Sequence, residues 1–181
     1  MMSEEKKTIV VSAFPACGKS YMYENFNGNP YTMLDSDSSK FSWIYEDGLK
    51  TDKRNPNFIE DYITHIKENI GKVDVIFVSS HTEVRKALRD NNIRYFIVHP
   101  SLSMKDEMIR RMKERGNDEK FIEFQEKNFE KFIFDVANDV NKSPLLTTLG
   151  AMSCIPYILV ENKPYITNEV IESLFILSEL K

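Results

Sequence analysis

Cysteine is nearly missing. The 181 residues hold two, Cys17 and Cys154, far apart and without the paired spacing of a zinc site. That excludes a disulfide-stapled scaffold and structural zinc, and it fits reduced thiols. Glycine and proline are also sparse, at 6 and 7 residues, which excludes collagen-like and low-complexity chains. No apolar run approaches the roughly 20 residues of a membrane-spanning helix. The opening MMSEEKK leads into an apolar segment too short for a signal-peptide core. The expectation is a cytoplasmic protein with no membrane partner. A basic excess is lacking too: 24 Lys and Arg stand against 28 Asp and Glu, a net charge of -4. This disfavours nucleic acid as a partner and leaves only local basic sites.

What is present is an ordinary globular composition, 41% hydrophobic and 29% charged. The length suits a single domain, 1–181, with small insertions rather than a second domain. Short β-branched or aromatic runs alternate with helical patterns. Strands are predicted at 8–13 (TIVVSA), 31–36, 73–80, 93–100 and 156–161. The expected fold class is α/β: a mainly parallel five-stranded sheet with helices on both faces. Residues 57–70 place Phe58, Tyr62 and Ile66 on one helical face. Thr82 is expected to cap a short helix that turns Val84, Ala87 and Leu88 inward. A charged helix over 103–115 carries Met104, Met108 and Met112 at four-residue spacing. The helix over 118–138 shows a stripe of Ile122, Gln125, Phe129, Phe132, Ile133 and Val136, and a last helix is capped by Thr167 or Asn168. Residues 139–155 read equally as loop, short helix or buried strand.

The chemistry concentrates in SAFPACGKSY, residues 12–21, directly after the first strand. A strand, a tight turn and Gly-Lys-Ser opening a helix form the context in which backbone amides converge on an anion. Gly18 permits close approach of main chain to phosphate, Lys19 reaches the β- and γ-phosphates, and the Ser20 hydroxyl ligates magnesium. Ala13 stands where the loop opens. It is small enough for that position, though it enters positive-φ space less freely than glycine. The stretch resembles the Walker A motif of P-loop nucleotide-binding proteins, whose pattern accepts Ala or Gly at its first position. The resemblance implies a three-layer P-loop NTPase fold that binds ATP and Mg2+ through Ala13, Pro15, Ala16, Cys17, Gly18, Lys19, Ser20 and Tyr21.

The strand at 73–80 ends in Ser79, Ser80 and His81, a departure from the Walker B pattern, in which an aspartate helps hold magnesium. LDSDSSKF supplies carboxylates elsewhere, Asp35 and Asp37 at the end of the second strand. In extended chain, period two directs both to one side. In a parallel sheet the strand C-termini gather near Gly18 and Lys19. The pair resembles the DxD motif of shikimate-kinase-like and gluconate-kinase-like enzymes. That resemblance implies that Asp37 binds or deprotonates an acceptor hydroxyl and that Asp35 joins Ser20 at magnesium. An Asp/Ser turn capping the next helix is the alternative.

The stretch MIRRMKERGND, 108–118, sets Arg111 and Arg115 four apart on one helical face. Its place between the fourth strand and the next helix resembles the lid, here 101–120, of nucleoside- and nucleotide-kinase-like enzymes of the adenylate-kinase-like group. The lid resemblance makes Arg111 and Arg115 catalytic together with Lys19 and Asp37; solvated charges among Glu107 and Glu114 are the alternative. Residues 38–70 are the expected acceptor insertion, where Phe41 and Trp43 stack a base or pack under a loop, and Arg54 meets an acceptor phosphate or water. Arg85 is expected on the side of its helix opposite Val84 and Leu88, within reach of substrate. His81 is expected to hydrogen-bond substrate or act as acid or base, with a turn histidine of no chemistry as the alternative. ENKPYIT, 161–167, is a candidate contact of the adenine. The function expected is transfer of the γ-phosphate of ATP to a small-molecule acceptor, a nucleoside or nucleotide. Another small hydroxyl compound, a polynucleotide hydroxyl, and an ATP-binding regulatory module are the alternatives.

Overall fold

The computed structural model describes residues 6–24, 30–141, 154–159 and 165–179. Five strands form one sheet: β1 (Ile9–Ala13), β2 (Met33–Asp35), β5 (Val75–Ser79), β6 (Tyr95–Pro100) and β7 (Cys154–Leu159). They stand in the order β2-β5-β1-β6-β7, and every pairing is parallel. All C-terminal ends therefore lie along one edge. Around the sheet stand α1 (Lys19–Glu24), α3 (Phe58–Asn69), α4 (Thr82–Asp90), α5 (Lys105–Glu114), α6 (Glu119–Asn141) and α7 (Asn168–Glu179). The short α2 (Ser39–Ser42) precedes a separate antiparallel hairpin, β3 (Trp43–Glu46) and β4 (Leu49–Arg54).

Period-two geometry explains the continuous apolar runs. Val11, Phe77, Phe96 and Val98 turn to one face, where Met22, Met108, Met112, Phe129 and Leu174 cover them. Val10, Ile76, Val78 and Ile97 turn to the other, against Tyr62, Ile66, Val84 and Leu88. The methionine spacing is explained by the first of these layers: Met104, Met108 and Met112 are all fully buried. Each such side chain contributes about 1.5–3 kcal/mol by leaving water. The α6 stripe holds as well, with Ile122, Gln125, Phe129, Ile133 and Val136 buried.

Several boundaries move. The helix expected from 103 opens with a 3-10 turn, Leu102–Met104. α4 begins at Thr82 with His81 in the capping position and no side-chain cap bond. At α7 the cap is Thr167, whose hydroxyl accepts the Val170 amide at 3.4 Å. The hairpin is absent from the sequence expectation: Asp47 and Gly48 turn it in positive-φ conformations (φ 50° and 78°), and its second strand, LKTDKR, is mostly charged and exposed. The end of the first helix, most of the ambiguous stretch 139–155, and residues 161–164 fall outside the described residues.

Candidate functional site

The connection after β1 leads toward the β2 edge of the sheet, and the connection after β6 leads toward the β7 edge. Such a divergence opens a crevice at the C-terminal ends of the strands. A cleft of about 1070 Å³ lies here. Its floor is the Gly-Lys-Ser loop, and every loop residue named from sequence lines it: Ala13, Pro15, Ala16, Cys17, Gly18, Lys19, Ser20 and Tyr21.

Ala13 proves to be the last residue of β1 and fully buried, so it needs no left-handed backbone. The positive-φ positions are Ala16 (φ 62°) and Gly18 (φ 99°). A Cβ on Gly18 would meet Tyr165 Cδ1 only at 3.6 Å, so conformation rather than space calls for glycine. Lys19 Nζ donates to Ala13 O at 3.0 Å, which folds the side chain across the loop mouth. Loss of water holds its ammonium below the ordinary lysine value, and Arg115 adds to the shift, against Asp35 and Asp37. Cys17 is buried, and burial pushes its thiol up to about 12 despite Lys19 and Arg111, so it packs as an inert small residue.

Arg111 and Arg115 both reach this cleft from α5 and its end. Arg111 is buried. Its Nε donates to Glu107 Oε1 at 2.7 Å, its Nη1 donates to Ala16 O at 3.3 Å, and its guanidinium stacks 3.7 Å above the Tyr165 ring. Hydrogen bonds from Arg110 and Arg111 hold the Glu107 carboxyl at about 2. The carboxylate that orients Arg111 therefore keeps its charge until the pH falls below the ordinary glutamate value of 4.5 toward 2. Tyr165 and Ile166 press on the loop from above, and Ile166 N donates to Cys17 O at 3.0 Å. The described part of the candidate stretch 161–167, namely Tyr165, Ile166 and Thr167, lines the cleft.

Across the cleft, Ser20 Oγ donates to Asp35 Oδ2 at 3.2 Å. That contact brings together the two residues expected at magnesium. Among the described residues no group of three or more His, Cys, Asp or Glu is gathered as a metal cage. One hydroxyl and one carboxylate fit a magnesium ion that completes its shell with phosphate oxygens and water. Asp37 also lines the cleft, but its carboxylate accepts the Ser39 amide at 2.9 Å and the Ser39 hydroxyl at 2.7 Å, so it caps α2 as well. His81 faces the same space, held below its ordinary value first by loss of water and then by the charges of Lys19, Arg54 and Arg85.

Two residues carry more than the sequence suggested. The buried Tyr62 hydroxyl donates to Ser36 O and accepts the Ser79 amide at 3.2 Å, tying the ends of β2 and β5 together beneath the cleft. A tyrosine on an apolar helix face was its only sequence signal. Asp139 is the other.

Arg85 corrects the expectation. It does not line the cleft but lies on the buried arc of α4, 3% exposed, with Nε donating to Asp139 Oδ2 at 2.6 Å and Nη1 to Ser80 O. Arg89 joins the same carboxylate at 3.2 Å and donates to Tyr95 OH at 3.0 Å. A partner 54 residues away turned the arginine inward, and no spacing rule on α4 reveals it. Phe41, Trp43 and Arg54 are also absent from the cleft walls. Phe41 packs against Tyr62 and His65, with ring centroids 5.2 and 4.9 Å away. Trp43 lies between Lys50 and Arg54, whose charged groups sit 4.4 and 4.6 Å from its ring centre. The hairpin satisfies its own aromatic residue.

No protein-family model matches the chain, and no curated protein matches its sequence. Among the described residues no helix is long and apolar enough to cross a membrane.

Proposed function

We propose that the protein is a P-loop kinase that moves the γ-phosphoryl group of ATP to a hydroxyl of a nucleoside or nucleotide. The observation that carries this reading is the convergence of Lys19, Arg111 and Arg115 with the Ser20–Asp35 pair in one cleft at the C-terminal edge of a parallel sheet. Phosphoryl transfer asks a protein mainly for positioning and for positive charge around the transferred group. Here one cation comes from the loop and two from α5 and its end.

In this reading Lys19 leaves Ala13 O and pairs with the β- and γ-phosphates. Arg111 and Arg115 neutralise charge on the equatorial oxygens of the transferred group. Asp37 accepts the proton of the acceptor hydroxyl as its oxygen bonds to phosphorus and the bond to the ADP oxygen breaks. Ser20 and Asp35 would hold magnesium, which supplies charge neutralisation between the phosphates.

Magnesium-dependent ADP formation, followed with and without candidate acceptors, tests the reading; a kinase accelerates with its acceptor. Arg111→Ala and Arg115→Ala each lower kcat by at least about tenfold, since cationic contacts to a transferring phosphoryl are worth far more than a surface charge. Full turnover in both variants removes α5 from the chemistry. Asp37→Asn lowers kcat by about a hundredfold, the lower end of general-base effects, with little change in ATP affinity. Equal loss of turnover and affinity identifies Asp37 as the α2 cap alone.

A second reading, an ATP-binding regulatory module that hydrolyses slowly, draws on the two bonds that occupy Asp37 and on the absence of a carboxylate at Ser79, Ser80 and His81. Tight ATP binding with slow turnover that no acceptor changes selects it.

A further inference from the structure

The two ends of the cleft differ in charge. Among the described residues that line it, the cations are Lys19, Arg111 and Arg115, all three from the loop or from α5 and its end, where Glu24 of α1 and Glu114 of α5 also line the cleft. The opposite end is walled by Asp35, Ser36, Asp37 and Ser38 after β2, and by Ser80 and His81 after β5. The side chains lining this end are carboxylates, hydroxyls and an imidazole, with no Lys or Arg among the described residues that line it; Lys19 and Arg54 act on His81 only through space. Recognition of a phosphate group uses arginine forks, lysines or converging amides, and nearby carboxylates oppose it. Recognition of sugar-type hydroxyls uses the groups found here, because each hydroxyl donates to a carboxylate or imidazole nitrogen and accepts from a serine.

The basic residues that sequence offered for an acceptor phosphate are committed elsewhere. Arg85 is buried against Asp139 and Ser80 O. Arg54 lies over Trp43 on the hairpin, and neither it, Lys53 nor Lys40 lines the cleft. Ser36 adds an independent observation. It is 4% exposed, it lines this end, and its hydroxyl has no hydrogen-bond partner among the described residues. A buried polar atom of this kind is costly unless something meets it.

Resting on the phosphotransferase reading, we infer that the acceptor is an uncharged polyhydroxyl compound, a nucleoside or a free sugar-like molecule, and that acceptors carrying a phosphate are rejected. Asp37 and His81 then contact acceptor hydroxyls, and Arg85 acts only by holding the Ser80–His81 turn in place. Rejection comes from the two carboxylates, which a phosphate would approach with no arginine or lysine on the wall beside them to form a direct ion pair, Lys19 being engaged with the phosphates of ATP.

The test uses the full chain with saturating ATP and magnesium, and compares matched pairs: nucleosides against their 5′-monophosphates, and free sugars and polyols against their monophosphates. The expected result is product formation with an uncharged member and a kcat/KM at least about tenfold lower for its phosphorylated counterpart. Which pair responds separates nucleoside from sugar. Ser38→Arg, which adds a cation to this wall, narrows the gap between the two members of the pair; the wild-type comparison decides alone if that variant does not fold. A phosphorylated member used as well as, or better than, its uncharged partner overturns the inference and leaves phosphoryl transfer standing. Stimulation by oligonucleotides alone also overturns it. Turnover that responds to no acceptor overturns both this inference and the reading beneath it.

Discussion

Lys19→Ala lowers magnesium-dependent ATP turnover by about a thousandfold, the scale of losing one preorganised charge at a reacting centre, while the chain stays folded. Lys19 as a residue is half-buried, and its hydrogen bond to Ala13 O closes a loop that the backbone already shapes through Ala16 and Gly18. Removing it takes out no core packing. Thermal unfolding of the variant should therefore fall within about 1 kcal/mol of wild type. Steady-state ADP release gives the first number and calorimetry the second. Unchanged turnover removes the loop from the chemistry. A large loss of stability makes Lys19 a structural residue, and the fall in turnover then says nothing of phosphate.

Asp139→Ala destabilises the fold by about 3–5 kcal/mol, because it leaves the buried Arg85 charge without its partner. Arg85 and Asp139 side chains are 3% and 6% exposed, and Arg89 leans on the same carboxylate. For a chain of this size the melting temperature falls by about 6–20 °C. The double variant Arg85→Met, Asp139→Leu should lose less than Asp139→Ala alone, since removing both charges removes the desolvation cost together with the attraction. Equal losses in the two proteins would show that the contact is packing rather than charge. Arg85 also holds Ser80 O, so the single variant should loosen the β5 end of the cleft and raise the apparent KM of the acceptor.

The parts of this protein legible in sequence are those in which neighbours along the chain decide the outcome. Alternating apolar runs gave parallel strands buried on both faces, four-residue methionine spacing gave the packed side of α5, and Gly18-Lys19-Ser20 gave the cleft floor. Asp35 was placed beside Ser20 by nothing more than strand ends gathering at one edge. The hairpin is not legible in the sequence because its strands pair with each other, β4 carries charges on most of its positions, and neither strand has a buried residue. Periodicity reports burial, and there was little burial to report.

By itself, then, the sequence determined the β/α alternation, the loop and the side of α5 that carries Arg111 and Arg115, since each depends on local backbone geometry and on spacing of 2 or 3.6 residues. Only the tertiary structure decided which charged groups face the cleft. Arg85 and Arg111 are both arginines on amphipathic helices, and both are buried. Asp139 turns one into the core, while Glu107, Ala16 O and the Tyr165 ring hold the other beside Lys19. A buried charge goes where its partners are, and Asp139, Ala16 and Tyr165 lie at least 54 residues from the arginines they hold.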